Sequence, residues 1–205
     1  MTTQEHERID QSTVDLTDSE YYLNRELSQL AFQERVLHEA LDDRTPLLER
    51  LRFLAIFTKN MDEFIMKRVG GLKQQIEAGV TETSVDGRTP REQWEEVLET
   101  ARPMFEAQTD CYQQEVKPAL ADAGIHIESW NDLSEADRAE MRDYFEESVF
   151  PTLTPLAFDP AHPFPFISNL SLSLGVFVRR HYDDSVVFTR IKIPPNQPRL
   201  IPIEE

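Results

Sequence analysis

Apolar residues recur at helical spacing through the first part of the chain. Leu27, Leu30, Leu37 and Leu41 lie near one face of a helix, and similar patterns follow downstream. A polar segment rich in Thr, Ser, Asp and Gly separates the later runs and is typical of a loop. The pattern predicts four helices: residues 24–42, a run that begins at Pro46 after Thr45 as N-cap, a run that follows Asn60, and residues 91–123.

The hydrophobic period changes after Gly124, which is predicted to end the last of these helices. Ser134 is predicted to begin another helix. The remaining segments are predicted as strands or extended runs: residues 125–127, 170–178, 186–193 and 199–203. The predicted fold class is therefore α + α/β, an all-helical bundle followed by the beginning of an α/β domain.

Three segments follow from this change of pattern. Residues 1–20 are polar and acidic and are predicted to be a mobile tail. Residues 21–123 form the predicted helical domain, and residues 124–205 the first part of a truncated α/β domain. The last extended run has no strand after it to pair with, so we expect the natural protein to continue.

Asn60 lies where the second and third predicted helices meet. Glu63 follows three residues later, which matches a capping box in which the amide oxygen accepts a backbone N–H. A neutral amide at such a place can also donate to and accept from a ligand in one plane. Both interpretations, a helix cap and a ligand contact, stay open on the residues alone.

Four ordered blocks of sequence resemble one enzyme family. Residues 22–37 (YLNRELSQLAFQERVL), 48–54 (LERLRFL) and 60–64 (NMDEF) are similar to the amino-terminal region of long bacterial-type polyphosphate kinases. Residues 155–172 (PLAFDPAHPFPFISNLSL) are similar to the opening of that family's second, head domain. The resemblance extends over nearly the whole chain.

The resemblance implies a function for a longer protein. Such an enzyme reversibly transfers the terminal phosphate of ATP to polyphosphate, forming ADP, through a phosphohistidine and with Mg²⁺. The resemblance places the phosphohistidine and the Mg²⁺ ligands outside this chain, so it implies no catalytic and no metal-binding residue here. It implies that Asn60 contacts the adenine of ATP and that the head domain contributes to a homo-oligomer. The alternative is a non-catalytic helical module for interaction or dimerisation.

The composition is acidic, with 38 Asp and Glu against 21 Lys and Arg and a net charge of −17. Such a surface repels nucleic acid and polyphosphate at long range, which argues against nucleic-acid binding. There is no apolar run of the roughly 18 residues that a membrane span needs, and no signal peptide pattern. We therefore expect a cytoplasmic protein, with Cys111 as an inert, partly buried thiol.

Other polar residues favour structural roles. Asp62 and Glu63 are adjacent on a helix and diverge by about 100°, so they do not easily share one metal ion. Four arginines, which could face phosphate, are expected to pair with surface carboxylates instead: Arg25, Arg35, Arg50 and Arg52. The five histidines, His162 among them, have no metal-ligand spacing.

Overall fold

The computed structural model describes residues 15–158, 164 and 166–203. The chain divides into two compact units, Met1–His126 and Ile127–Glu205. The predicted mobile tail lies mostly outside the described residues; within them, Ser19–Tyr21 forms a 3₁₀ turn.

The first unit is built from helices. They are α1 (Arg25–Leu41), α2 (Leu47–Phe64), α3 (Gly70–Glu77), α4 (Pro90–Asp110) and α5 (Lys117–Asp122). Helix α1 packs on α2 and α4, and α3 also packs on α4. Two π-helical segments, Ile65–Val69 and Cys111–Val116, continue the backbone from α2 to α3 and from α4 to α5 without a break.

The core of this unit lies between the long helices. Phe57 is fully buried and meets Phe105 edge to face, with 5.9 Å between ring centroids. Other buried side chains come from every helix, which accounts for the helical spacing of apolar residues in the sequence. They include Leu30, Leu37, Leu54, Met61, Val97, Met104, Val116 and Leu120.

The predicted helix boundary at Asn60 is wrong. Helix α2 runs through this position, so Asn60 is not an N-cap, and Glu63 forms no capping box but pairs with Lys67 one turn later. The reason is that Phe57, Met61 and Phe64 continue one buried face across the position. That burial outweighs the modest helix penalty of one asparagine.

The actual helix ends use other residues. Asn24 caps α1, its Oδ1 accepting N–H groups from Glu26 and Leu27 at 2.9 and 3.1 Å. Thr89 and Glu92 form the capping box of α4. Helix α2 begins one residue later than predicted, with Pro46 rather than Thr45 at its N-cap position. Gly124, with φ +82°, follows the last helix of the unit as predicted.

The second unit combines one helix with a small sheet. Helix α6 (Glu135–Tyr144) is capped by Ser134, as predicted. The strands are β1 (Pro155–Ala157), β2 (Ser173–Arg179) and β3 (Val186–Lys192). Their order is β1-β3-β2, and both pairings are antiparallel. Residues 125–127 form no strand, which corrects the prediction made from their short alternation.

Most apolar side chains of the second unit are exposed. Phe177 is 77% and Phe166 87% exposed, and among the described residues of this unit only Thr189 and Arg190 are buried. The sheet therefore offers apolar surface rather than a closed core. The combination of a helical bundle with a small sheet confirms the predicted fold class. In the described part of the chain, no helix is long and apolar enough to cross a membrane.

Candidate adenine-binding groove

A groove of about 380 Å³ opens between α1 and the α2–π segment. Its wall combines polar and charged side chains with two phenylalanine rings. The lining residues are Arg25, Glu26, Gln29, Phe32, Gln33, Asn60, Glu63, Phe64, Lys67 and Arg68. Asn60, the residue singled out in the sequence, lies in this wall.

A hydrogen bond fixes the Asn60 side chain across the groove wall. Its Nδ2 donates to Oε1 of Gln33 at 3.0 Å, joining α2 to α1. Gln33 is 2% exposed, whereas Asn60 is half-buried. Within the described residues, Oδ1 of Asn60 accepts no hydrogen bond, so this oxygen and the second N–H are available to a ligand.

Three cationic side chains and two carboxylates line the groove, which leaves a slight excess of positive charge. Arg68 donates to both carboxylate oxygens of Glu26, with Nε at 2.9 and 3.1 Å. Lys67 pairs with Glu63, which lowers the pKa of that carboxyl group. Arg25 has no ion-pair partner in the part of the chain that the structure describes. One unpaired cation on a chain of net charge −17 makes this groove locally receptive to an anionic group.

A second groove of about 510 Å³ shares Arg25, Glu26 and Arg68 with the first. Its carboxylate Asp86 is already satisfied, since it receives hydrogen bonds from Asn24 at 3.1 Å and Arg88 at 2.6 Å. Burial alone would raise the pKa of Asp86, but the hydrogen bonds from Ser84, Arg88 and Asn24 lower it below its usual value. This region serves to fix the loop before α4 against α1.

Arg50 does not have the expected surface role. It is buried, donates Nε to the carbonyl of Ala40 at 2.7 Å and pairs with Glu115. Its Nη2 also lies 3.5 Å from the sulfur of Cys111. Burial raises the pKa of the Cys111 thiol, which keeps it protonated and unreactive.

Arg52 forms the exposed ion pair expected of it, with Glu49 at 3.5 Å. Of the four arginines, only Arg50 and Arg52 form ion pairs with described residues. The surface pairs expected of Arg25 and Arg35 are not found among the described residues, and Arg25 lines the groove instead. His6 and His162 lie outside the described residues. Among residues 15–158, 164 and 166–203, no group of three or more His, Cys, Asp or Glu could hold a metal ion.

Gln33 and the Glu26–Arg68 pair were not identified from the sequence. A signal for Gln33 exists, because Leu30, Gln33, Leu37 and Ala40 follow helical spacing and all four are buried. An amide within a buried stripe needs a hydrogen-bond partner. No such signal links Glu26 to Arg68, which lie 42 positions apart.

Comparison with known proteins identifies the family. The model of the polyphosphate kinase N-terminal domain matches residues 22–128, and that of the polyphosphate kinase middle domain matches residues 136–205. The chain belongs to the polyphosphate kinase family.

Individual relatives agree with this assignment. A polyphosphate kinase of Synechocystis sp. is 54% identical over 94% of the chain, and one of Mycobacterium tuberculosis is 50% identical over 91%. The crystal structure of polyphosphate kinase from Porphyromonas gingivalis matches 84% of the chain with a TM-score of 0.68 and 25% identity. The chain spans about a quarter of each, 26%, 25% and 25% respectively.

Proposed function

We propose that this chain is the adenine-contacting part of an enzyme that reversibly transfers the terminal phosphate of ATP to polyphosphate. The observation that carries the proposal is the Asn60 amide, held in the wall of a groove with one acceptor and one donor free. Adenine presents an amino donor beside a ring-nitrogen acceptor, the complement of an amide. The family to which the chain belongs supports ATP and polyphosphate as the substrates.

The surrounding groove supports a nucleotide rather than a bare base. Phe32, which is 51% exposed, offers apolar surface to a base, while Arg25 offers an unpaired charge within the described residues. Catalysis would require groups that the described residues do not supply. The phosphohistidine and the ligands of Mg²⁺ belong, in this proposal, to the remaining length of the enzyme.

The proposal is tested by titrating the chain with ATP while recording the side-chain amide signals of its Asn and Gln residues by NMR. Weak binding is expected, because only part of the enzyme's length is present. The Asn60 signals should shift with ATP, and those of Gln197, which lies in the second unit, should not. Unchanged Asn60 signals at saturating ATP would refute the assignment.

A second proposal concerns the second unit, where we propose a contact between copies of the chain. The supporting observation is the exposed apolar surface around β2, where Leu172, Leu174, Phe177 and Val178 are each at least 46% exposed. Exposed apolar surface of this kind marks interaction sites.

The cytoplasmic location and the lack of nucleic-acid binding stay predictions from the sequence.

A further inference from the structure

We propose that Arg190, assisted by Lys192, binds a phosphate group on one face of the three-stranded sheet. The starting observation is that Arg190 is only 6% exposed, yet it forms no ion pair with any described residue. Its Nε donates to the hydroxyl oxygen of Ser173 at 3.1 Å, the one side-chain hydrogen bond of Arg190 within the described residues. A guanidinium has five N–H donors, so the remaining donors are left to a ligand.

The energetic cost of this buried charge points to an anionic partner. Taking a guanidinium out of water without a counter-charge is unfavourable, and the neutral hydroxyl of Ser173 compensates for it only in part. Arginine suits a phosphate group because its planar guanidinium donates two parallel hydrogen bonds to one oxyanion. A phosphate at the free N–H groups of Arg190 would supply the missing charge.

The three strands differ in charge from the rest of the chain. They contain Arg179, Arg190 and Lys192 and no Asp or Glu, whereas the whole chain has a net charge of −17. Arg179 pairs with Asp184, which follows β2. Lys192, like Arg190, has no ion-pair partner in the part of the chain that the structure describes. Two uncompensated cations therefore lie close together on β3.

The register of the sheet brings these groups to the same face. Arg190 and Lys192 are two positions apart on β3, so their side chains project from one side of the strand. Ser173, the hydrogen-bond partner of Arg190, lies opposite Lys192 on β2. Gly175 lies opposite Arg190 and adds no side chain to this face. The guanidinium therefore has an open position on the β2 side.

Free phosphate and polyphosphate present the same oxyanion to such a site. Polyphosphate is the ligand that uses both cations, because Arg190 and Lys192, with Cα atoms about 7 Å apart, can contact neighbouring phosphates of one chain. This choice rests on the proposed function, which supplies polyphosphate as a substrate. The phosphate site itself rests only on the burial and charge of the sheet residues.

The first test is titration of the wild-type chain with sodium phosphate and with polyphosphate, while the side-chain Nε–H signals of the arginines are recorded by NMR. Sodium chloride at the same ionic strength is the control for screening. The Arg190 signal should shift with phosphate, and that of Arg52 in the first unit should not. An Arg190 signal that moves no more in phosphate than in chloride would overturn the inference.

Arg190→Met separates phosphate binding from a structural role. Methionine covers the apolar stem of the side chain and removes a buried charge, so without phosphate the variant should be at least as stable as the wild type. Phosphate should raise the melting temperature of the wild type but not that of Arg190→Met. A variant that is less stable than the wild type and responds to phosphate in the same way would show a structural role and overturn the inference.

Lys192→Met changes an exposed residue, so it tests the site without disturbing buried groups. It should weaken polyphosphate binding about two- to fivefold. Arg52→Met removes the same charge from the first unit and should leave this binding unchanged. Equal effects of the two variants would mean that only net charge matters, which would overturn the role of Lys192.

Comparison of ligands separates this inference from the proposed function. Polyphosphate should bind more tightly than inorganic phosphate, and equal affinities would overturn polyphosphate as the ligand. Arg190→Met should leave the shift of the Asn60 amide signals by ATP unchanged. Loss of phosphate binding at Arg190 would therefore not affect the adenine contact, and a failed adenine contact would not affect the phosphate site.

Discussion

Arg68 reaches from the π-helical turn after α2 to Glu26 in the first turn of α1, and its Nε lies 2.9 and 3.1 Å from the two carboxylate oxygens. The Glu26 side chain is 5% exposed and that of Arg68 41%. The pair therefore ties the two walls of the groove together while one partner stays in contact with solvent. Without Arg68, the carboxylate would be left buried and uncompensated.

Arg68→Met is expected to lower the free energy of unfolding by about 1–3 kcal/mol, the cost of leaving a buried hydrogen-bonding group without its partner. Lys67→Met is the matched control, because its pair with Glu63 is exposed on both sides and should contribute less than about 1 kcal/mol. Urea denaturation of both variants measures the difference. Equal losses would mean that Glu26 gains little from Arg68.

Asn60→Ala is expected to weaken ATP binding about two- to tenfold with little change in melting temperature. The lost bond to Gln33 costs roughly 0.5–1.5 kcal/mol, and alanine recovers up to about 0.7 kcal/mol in a helix interior. Titration with ATP and thermal unfolding measure the two effects. Lys59→Ala, on an exposed position of the same helix outside the groove wall, should leave ATP binding unchanged.

Asn60→Asp sharpens this test. An aspartate cannot donate to Gln33 or to a ring nitrogen of adenine, so we expect ATP binding at least as weak as with alanine. If the aspartate variant bound ATP like the wild type, the adenine contact at Asn60 would be wrong. A fall in melting temperature without a change in binding would assign Asn60 a purely structural role.

Asp86 should make the first unit sensitive to acid. Its pKa in the folded state lies below the usual 3.8, so its stabilising contribution is fully present above pH 3.8 and is lost as the pH falls through the lower folded value. Asp86→Asn should therefore be less stable than wild type at pH 7, and the difference should shrink in strong acid. Unfolding followed from pH 7 to pH 2 measures it. A difference that stays constant with pH would show that Asp86 contributes no charge-dependent stability.

The chain of 205 residues is expected to have no phosphoryl-transfer activity by itself. Phosphoryl transfer depends on positioned phosphate clamps and metal ions, and the chain spans only 26% of the length of the Synechocystis relative. Incubation with ATP and Mg²⁺, followed by assay for polyphosphate, checks this. Turnover at a rate comparable to a full-length member of the family would contradict it.

Self-association should depend on the second unit. Light scattering is expected to give a monomer mass for residues 20–123 and a larger mass for the whole chain. Phe177→Asp, at a position 77% exposed, should reduce the mass of the whole chain. Leu48→Asp, at a 61% exposed position in the first unit, should not. The same monomer mass for residues 20–123 and for the whole chain would refute a contact through the second unit.

Local sequence was sufficient for much of the helical architecture. The ends of α1, the capped start of α6 and the two longer strands follow from caps and from hydrophobic period, which depend on near neighbours in the chain. The resemblance of the sequence blocks placed the chain in its family, which the comparisons confirm. The adenine contact of Asn60 stays a prediction.

Local sequence patterns led to wrong predictions where contacts between distant parts of the chain determine the structure. Asn60 has the spacing of a cap but lies inside α2, because burial of Phe57, Met61 and Phe64 against other helices outweighs a local capping preference. Arg50 is buried because Glu115 and the carbonyl of Ala40 satisfy it, and both partners are distant in sequence. Local patterns were enough for most of the helices and for the two longer strands, but they did not predict β1, and they predicted a strand at residues 125–127 that does not form. Only the packing of α1 against α2 decided that Gln33 meets Asn60, because a hydrogen bond across 27 positions depends on how the two helices pack.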